Sequence, residues 1–185
     1  MAFDFKNATR AELCGEYDRI GKEMGDFQFF TKRELFHLPK ILADTEQVLA
    51  FTSGLMDNNT WLIALTDRRI IFLDKGMIYG LKQATIDLDK INAISGETAI
   101  LFGSIKIEDG ARERVIANVW KKTVVPFTNR VRDAIEARRR SQQAPASTPT
   151  GDDRISRLER LAALRDKGVL TEAEFEQQKA AILNS

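Results

Sequence analysis

Hydrophobic positions recur about every 3.6 residues at the start of the chain and every second residue after it. Leu13, Tyr17, Ile20 and Met24 share one helical face. Thr9 and Glu12 have the spacing of a capping box, and Gly25 is a suitable stop. A second helix carries Leu35 and Leu38, with Thr31 and Glu34 predicting another capping box, and Pro39 breaks or restarts it. Phe27, Phe29 and Phe30 lie between the helices and are expected to plug them onto a sheet.

From residue 46 the period falls to two. Trp61, Ile63 and Leu65 alternate with Leu62, Ala64 and Thr66, and Ile70 and Phe72 with Ile71 and Leu73. Ile86 and Leu88 alternate with Asp87 and Asp89, and Ile105 and Ile107 with Lys106 and Glu108. Val115, Ala117 and Val119 alternate with Arg114, Ile116 and Asn118, and Gln47 to Leu55 adds a further strand. Turn chemistry at Asp57-Asn58-Asn59, Asp74-Lys75-Gly76, Ser95-Gly96 and Asp109-Gly110 separates the strands. About seven antiparallel strands in an open sheet or small barrel follow.

Residues 121–140 predict one helix whose apolar stripe is Phe127, Val131, Ala134 and Ile135. Thr123 is expected to cap it, with Pro126 in the first turn. Its end, Arg138-Arg139-Arg140, suits the negative pole of the helix dipole. Residues 141–151 form a linker with two prolines and no large apolar side chain. The fold class is therefore α+β: N-terminal helices over 1–45, an open barrel with its capping helix over 46–140, the linker, and a small helical hairpin over 152–185.

The run Leu65-Thr66-Asp67-Arg68-Arg69-Ile70, with Glu46 to Ala50 before it and Ile86 to Ile91 after it, resembles a bacterial pleckstrin-homology-like domain of the YokE-like branch. The resemblance covers roughly residues 31–138. Ile155 to Leu161, Leu164 to Phe175, Lys179 and Ile182-Leu183 resemble a SHOCT module, a short helical segment at the ends of many bacterial proteins. Together they imply a non-catalytic scaffold that assembles with itself or tethers a protein partner; a cytoplasmic location is the default expectation. Neither resemblance brings a catalytic residue.

The tail has its own physics. Ile155, Leu158, Leu161 and Ala162 form a stripe that Leu164 widens, and Gly168 sits where a helix stop needs a left-handed residue. Thr171 and Glu174 predict a capping box, and Leu170 and Phe175 a hydrophobic staple, with Ile182 continuing the face. A hairpin of about 33 residues is shorter than the roughly 40 that fold alone without a disulfide, metal or partner. Its apolar residues Ile155, Leu158, Leu161, Leu164, Leu170, Phe175 and Ile182 therefore need a surface, whether its own barrel, a second copy or a client.

Composition narrows the chemistry. Of 185 residues, 43% are hydrophobic and 30% charged, enough apolar content for a core. With 28 Lys and Arg against 27 Asp and Glu, the net charge of +1 argues against a generic polyanion binder. Cys14 and His37 are the lone Cys and His, too few for an internal disulfide or a Cys/His zinc site, so no metal and no cofactor is expected. These two are also the one classical nucleophile–base pair, and they fall in separate helices. Asp87 and Asp89, on one strand face, are expected on a wet outer surface. Around Gly168 the residues at the first calcium-ligand positions would be Ala163, Arg165 and Lys167, which rules out a calcium loop.

Eukaryotic relatives of the fold bind phosphoinositides with basic residues at the first hairpin. Here that hairpin, Met56-Asp57-Asn58-Asn59-Thr60, has an acid and no base, so headgroup binding there is rejected. Lys121, Lys122, Arg130, Arg132 and Arg138 to Arg140 are the basic concentration. The alternative function is peripheral binding of anionic membrane or nucleic acid through helix 121–140, with Arg138, Arg139 and Arg140 as the polyanion contacts. The start of the chain lacks the order of a signal peptide, and no apolar run is long enough to span a bilayer.

Overall fold

Thr9 opens the first helix as read from the sequence. In a computed structural model of the chain, its hydroxyl accepts from the Glu12 N–H while the Glu12 carboxylate accepts from the Thr9 N–H at 2.7 Å. The structure describes residues 2–25, 31–75, 80–143, 158–159, 161–162, 165 and 171–183. Helix α1 (Arg10–Met24) ends at Gly25, whose φ of 67° is the left-handed cap that glycine adopts freely. Leu13, Tyr17, Ile20 and Met24 are all buried. Helix α2 (Lys32–His37) runs into a 3₁₀ turn at Leu38–Lys40, so Pro39 restarts the chain rather than ending it. The second expected capping box does not form. The Thr31 side chain makes no capping bond, and Glu34 instead accepts from the Lys75 N–H at 3.1 Å. The expected plug of Phe27, Phe29 and Phe30 lies outside the described residues.

Seven strands follow: β1 (Val48–Met56), β2 (Asn59–Thr66), β3 (Arg69–Lys75), β4 (Leu81–Asp87), β5 (Ile91–Thr98), β6 (Phe102–Asp109) and β7 (Arg112–Trp120). All pairings are antiparallel and the order is β4-β3-β2-β1-β7-β6-β5. The terminal strands β4 and β5 do not pair, so the barrel is open. Asp57 and Asn58 both take positive φ, the backbone that a two-residue hairpin between β1 and β2 requires. Helix α3 (Lys121–Gln143) starts directly after β7, and Val124, Phe127, Val131, Ala134 and Ile135 bury its stripe. One hydrophobic core joins the N-terminal helices, both halves of the sheet and α3. Tyr17 ties α1 to it, with its ring 5.9 Å from that of Phe51 and its hydroxyl donating to the Leu35 carbonyl.

Four expectations are corrected. Ser95-Gly96 is no turn: it lies inside β5, with Gly96 opposite Ile105. A Cβ on Gly96 would stand 2.6 Å from Val124 Cγ1, so this glycine serves the close approach of α3. The turn comes later, at Ile100-Leu101. In β7, Ile116 and Val119 are buried while Val115 and Ala117 face solvent. A bulge shifts the phase there, with Asn118 at a φ of 53°. Asp87 ends β4 and Asp89 belongs to a 3₁₀ turn at Leu88–Lys90, so they do not share a strand face, although both are exposed. Finally, α3 begins two residues earlier than Thr123, which is buried without capping, and Pro126 stands inside the helix.

The C-terminal part, from residue 143, is a separate compact unit. Its last helix, α4 (Glu172–Leu183), opens on the expected box, the Thr171 N–H donating to Glu174 at 2.9 Å and the Glu174 N–H to the Thr171 hydroxyl. Residues 158–159, 161–162 and 165 are helical.

Candidate functional site

Three places could carry function: the polar knot around the Thr-Asp-Arg-Arg turn, the basic end of α3, and the apolar tail. The knot starts from the turn between β2 and β3. The Thr66 hydroxyl accepts from the Arg68 and Arg69 N–H groups at 3.1 and 3.0 Å, closing the turn. It also donates to Glu46 Oε1 at 2.8 Å. Arg69 clasps the same carboxylate twice, Nε to Oε1 at 2.9 Å and a terminal nitrogen to Oε2 at 2.8 Å, and reaches the Ile41 carbonyl at 3.0 Å. Asp67 accepts from the Gln47 N–H at 2.9 Å, and Arg68 donates to the Asp44 carbonyl and the Thr45 hydroxyl. Every polar member of the motif thus grips the 41–47 lead-in. Burial alone would push the Glu46 carboxyl up. Arg69, the Ala43 N–H and Thr66 outweigh it and hold the carboxyl below its ordinary value. The most specific motif of the sequence is a structural clasp.

Beside this clasp opens a cleft of about 350 Å³ lined by Ala43, Glu46, Arg68, Arg69, Asp87, Asp89 and Arg138. Three guanidinium groups face three carboxylates, so the charges cancel and a polyanion gains no net attraction. Glu46 is committed to Arg69, and Asp87 lies 3.4 Å from Lys90.

The basic end of α3 is not one surface. Successive helical residues point about 100° apart. Arg138 is half-buried toward the cleft, Arg139 is exposed, and Arg140 donates to Glu136 at 3.0 Å. Earlier on the helix, Arg132 donates to the Ile94 carbonyl at 3.1 Å, and Arg130 lies 4.0 Å from Glu23. Cys14 is exposed on α1, and His37 sits half-buried at the end of α2. Desolvation first, then Lys75 and Lys40, lower the His37 pKa, and among the described residues no hydrogen bond joins it to Cys14. No group of three or more potential metal ligands is found among the described residues. No helix among them is long and apolar enough to cross a membrane.

In the tail, Phe175 is buried, with Arg165 4.8 Å and Lys179 5.6 Å from its ring centre. Leu158 and Leu161 are partly buried. Ile155, Leu164 and Leu170, and the side chain of Ile182, lie outside the described residues, so the staple and the full stripe are not placed.

The sequence did not single out an exposed apolar cluster at the β5–β6 turn. Ile100 and Leu101 form its tip, and Phe102 stands opposite Trp120, their rings 5.6 Å apart and edge-on. Two apolar residues in a turn without Gly, Asn or Pro extend a strand pattern rather than interrupt it, which is why no turn was expected here.

Residues 42–133 match the family of bacterial PH domains, and residues 156–183 match the short C-terminal domain family, SHOCT. No curated protein matches the chain. Among solved structures, a DUF1696 family protein with a pleckstrin-homology domain from Shewanella loihica PV-4 is 18% identical, with a TM-score of 0.39, over 64% of this chain and 96% of that one. A pleckstrin homology domain from Shewanella amazonensis SB2B is 20% identical, with a TM-score of 0.42, over 57% of this chain and 97% of that one.

Proposed function

Since the chain carries a bacterial PH domain at residues 42–133 and a short C-terminal domain at 156–183, we propose that it is a non-catalytic scaffold that assembles with copies of itself through its tail. The observation that carries this reading is a segment too short to bury its apolar stripe fully. Leu158 and Leu161 belong to the stripe and keep part of their surface in water. A unit of this size gains a core by sharing one. Past the end of α3, the sequence of residues 144–151 has two prolines and no large apolar side chain, and joining two modules on one chain raises the local concentration of each contact. The Glu46–Arg69 clasp ties the 41–47 lead-in to the β2–β3 turn, which is a structural role.

The test is the solution mass by light scattering of three proteins. These are the whole chain, a chain ending at Gln143, and the whole chain with Leu158→Glu and Leu161→Glu. The whole chain is expected to exceed a monomer, and both variants to fall in order. Equal monomeric masses would overturn self-assembly and leave docking of the tail within one chain.

A further inference from the structure

Ion pairs account for only part of the cleft beside the clasp. Glu46 is taken by Arg69, and Asp87 lies 3.4 Å from Lys90. Three charges are left over, each from a different element. Arg68, in the β2–β3 turn, spends a terminal nitrogen on two neutral acceptors, the Asp44 carbonyl and the Thr45 hydroxyl, and forms no ion pair among the described residues. Arg138, on α3, lines the cleft half-buried, and its Nε is buried with no hydrogen-bond partner. Its guanidinium forms no ion pair among the described residues either. Asp89, in the 3₁₀ turn after β4, is exposed on the opposite lining and also forms none among them. Folded proteins seldom leave a buried donor unmet, and Arg138 is turned into the cleft while its neighbour Arg139 stands in solvent.

We infer that the cleft binds a small zwitterion, one carboxylate and one ammonium on a short carbon frame, as in a free amino acid. The carboxylate accepts from Arg138 and Arg68, and the ammonium donates to Asp89. The leftover charges select this class by elimination. Two guanidiniums call for an anion, and a planar carboxylate suits their paired N–H groups. A phosphate or a polyanion brings further negative charge against Glu46, Asp87 and Asp89. A plain carboxylate answers the arginines and leaves Asp89 unmet, and a plain amine meets three guanidiniums. Only a ligand carrying both signs satisfies both sides. The volume of about 350 Å³ suits a molecule of that size. The cleft lies wholly within residues 1–142, so the proposal is independent of assembly through the tail.

The experiment titrates the full chain with glycine, β-alanine and γ-aminobutyrate, whose two charges stand progressively further apart, and follows saturation transfer from protein to ligand by NMR. Propionate, ethylamine and inorganic phosphate are the comparison ligands. Saturable binding at millimolar concentrations is expected for at least one of the zwitterions, at least about tenfold tighter than for any comparison ligand, since each single-sign ligand forgoes one charge-assisted contact. Arg138→Gln and Asp89→Asn should each weaken that binding by about tenfold. Arg139→Gln, turned about 100° away on the helix, should leave it unchanged. So should Leu158→Glu with Leu161→Glu, which separates a failure here from a failure of self-assembly. Circular dichroism checks that each variant is folded, and Asp89, being exposed, supplies the test if Arg138→Gln is not. Absence of saturable binding by all three zwitterions overturns the proposal. So does phosphate binding as tightly as they do, which would make the cleft a plain anion site, and so does binding that the folded variants at Arg138 and Asp89 leave unchanged.

Discussion

Glu46 shows how one side chain can hold a fold together and set its acid limit. Its carboxylate is fully buried and bound by Arg69, Thr66 and the Ala43 N–H. Its pKa in the folded protein lies below the ordinary 4.5, so the unfolded chain takes up its proton first as pH falls. The contribution is therefore complete above that value and is lost as pH drops through the folded pKa. Glu46→Gln should cost on the order of 2 kcal/mol at neutral pH, since Arg69 is left half-buried and poorly paired. In urea titrations at several pH values the gap to the unaltered protein should narrow below about 4.5; a gap constant down to strong acid would show that the charge is not what matters. Asn118 decides something different. At a φ of 53° it tolerates the left-handed backbone of the β7 bulge, which a β-branched residue resists. Asn118→Val should cost roughly 1–2 kcal/mol, while Asn118→Gly stays near neutral, read from denaturation midpoints.

Elements meet where the chain is smallest. Helix α3 sits so close to β5 and β6 that Val124 occupies the space of the missing side chains at Gly96 and Gly103. Gly96→Val should cost about 1–3 kcal/mol by overpacking, and Val124→Ala in the same chain should restore part of it, a non-additivity that a double-mutant cycle measures. If the two changes simply add, the helix is not held by this contact. The same glycine shows what the sequence could and could not reveal. Hairpins closed by Asp57-Asn58 and Asp109-Gly110 were legible because turn chemistry is local, and so were the stripes of α1 and α3, because burial imposes their period. Gly96 looked like a turn because its reason lies 28 residues away, in α3. The faces of β7 were misassigned because a bulge moves the phase by one residue without changing composition. The clasp was visible as a motif, yet its partners, Ile41 to Gln47, could be found only from the structure.

Taken whole, each of the two units has parts that the sequence shows and parts that it does not. In the C-terminal unit the capping box at Thr171 was readable from four residues, and the buried Phe175 follows from the same register. What covers Leu158 and Leu161, a second copy in the function proposed above, is not encoded in a local pattern, so light scattering is the measurement at this scale. The exposed tip at Ile100 was missed because, without turn residues, Ile100 and Leu101 read as more strand, and these side chains face outward. The strand order carries one last consequence. Strand β1 lies between β2 and β7, and its second neighbour is more than 50 residues further along the chain. A chain emerging from the ribosome can complete the β1–β4 meander from adjacent hairpins, yet one border of β1 stays unsatisfied until the synthesis of β7. During that interval the nascent protein offers an open ladder to any passing strand, and the arrival of residues 112–120 ends its exposure to misassembly.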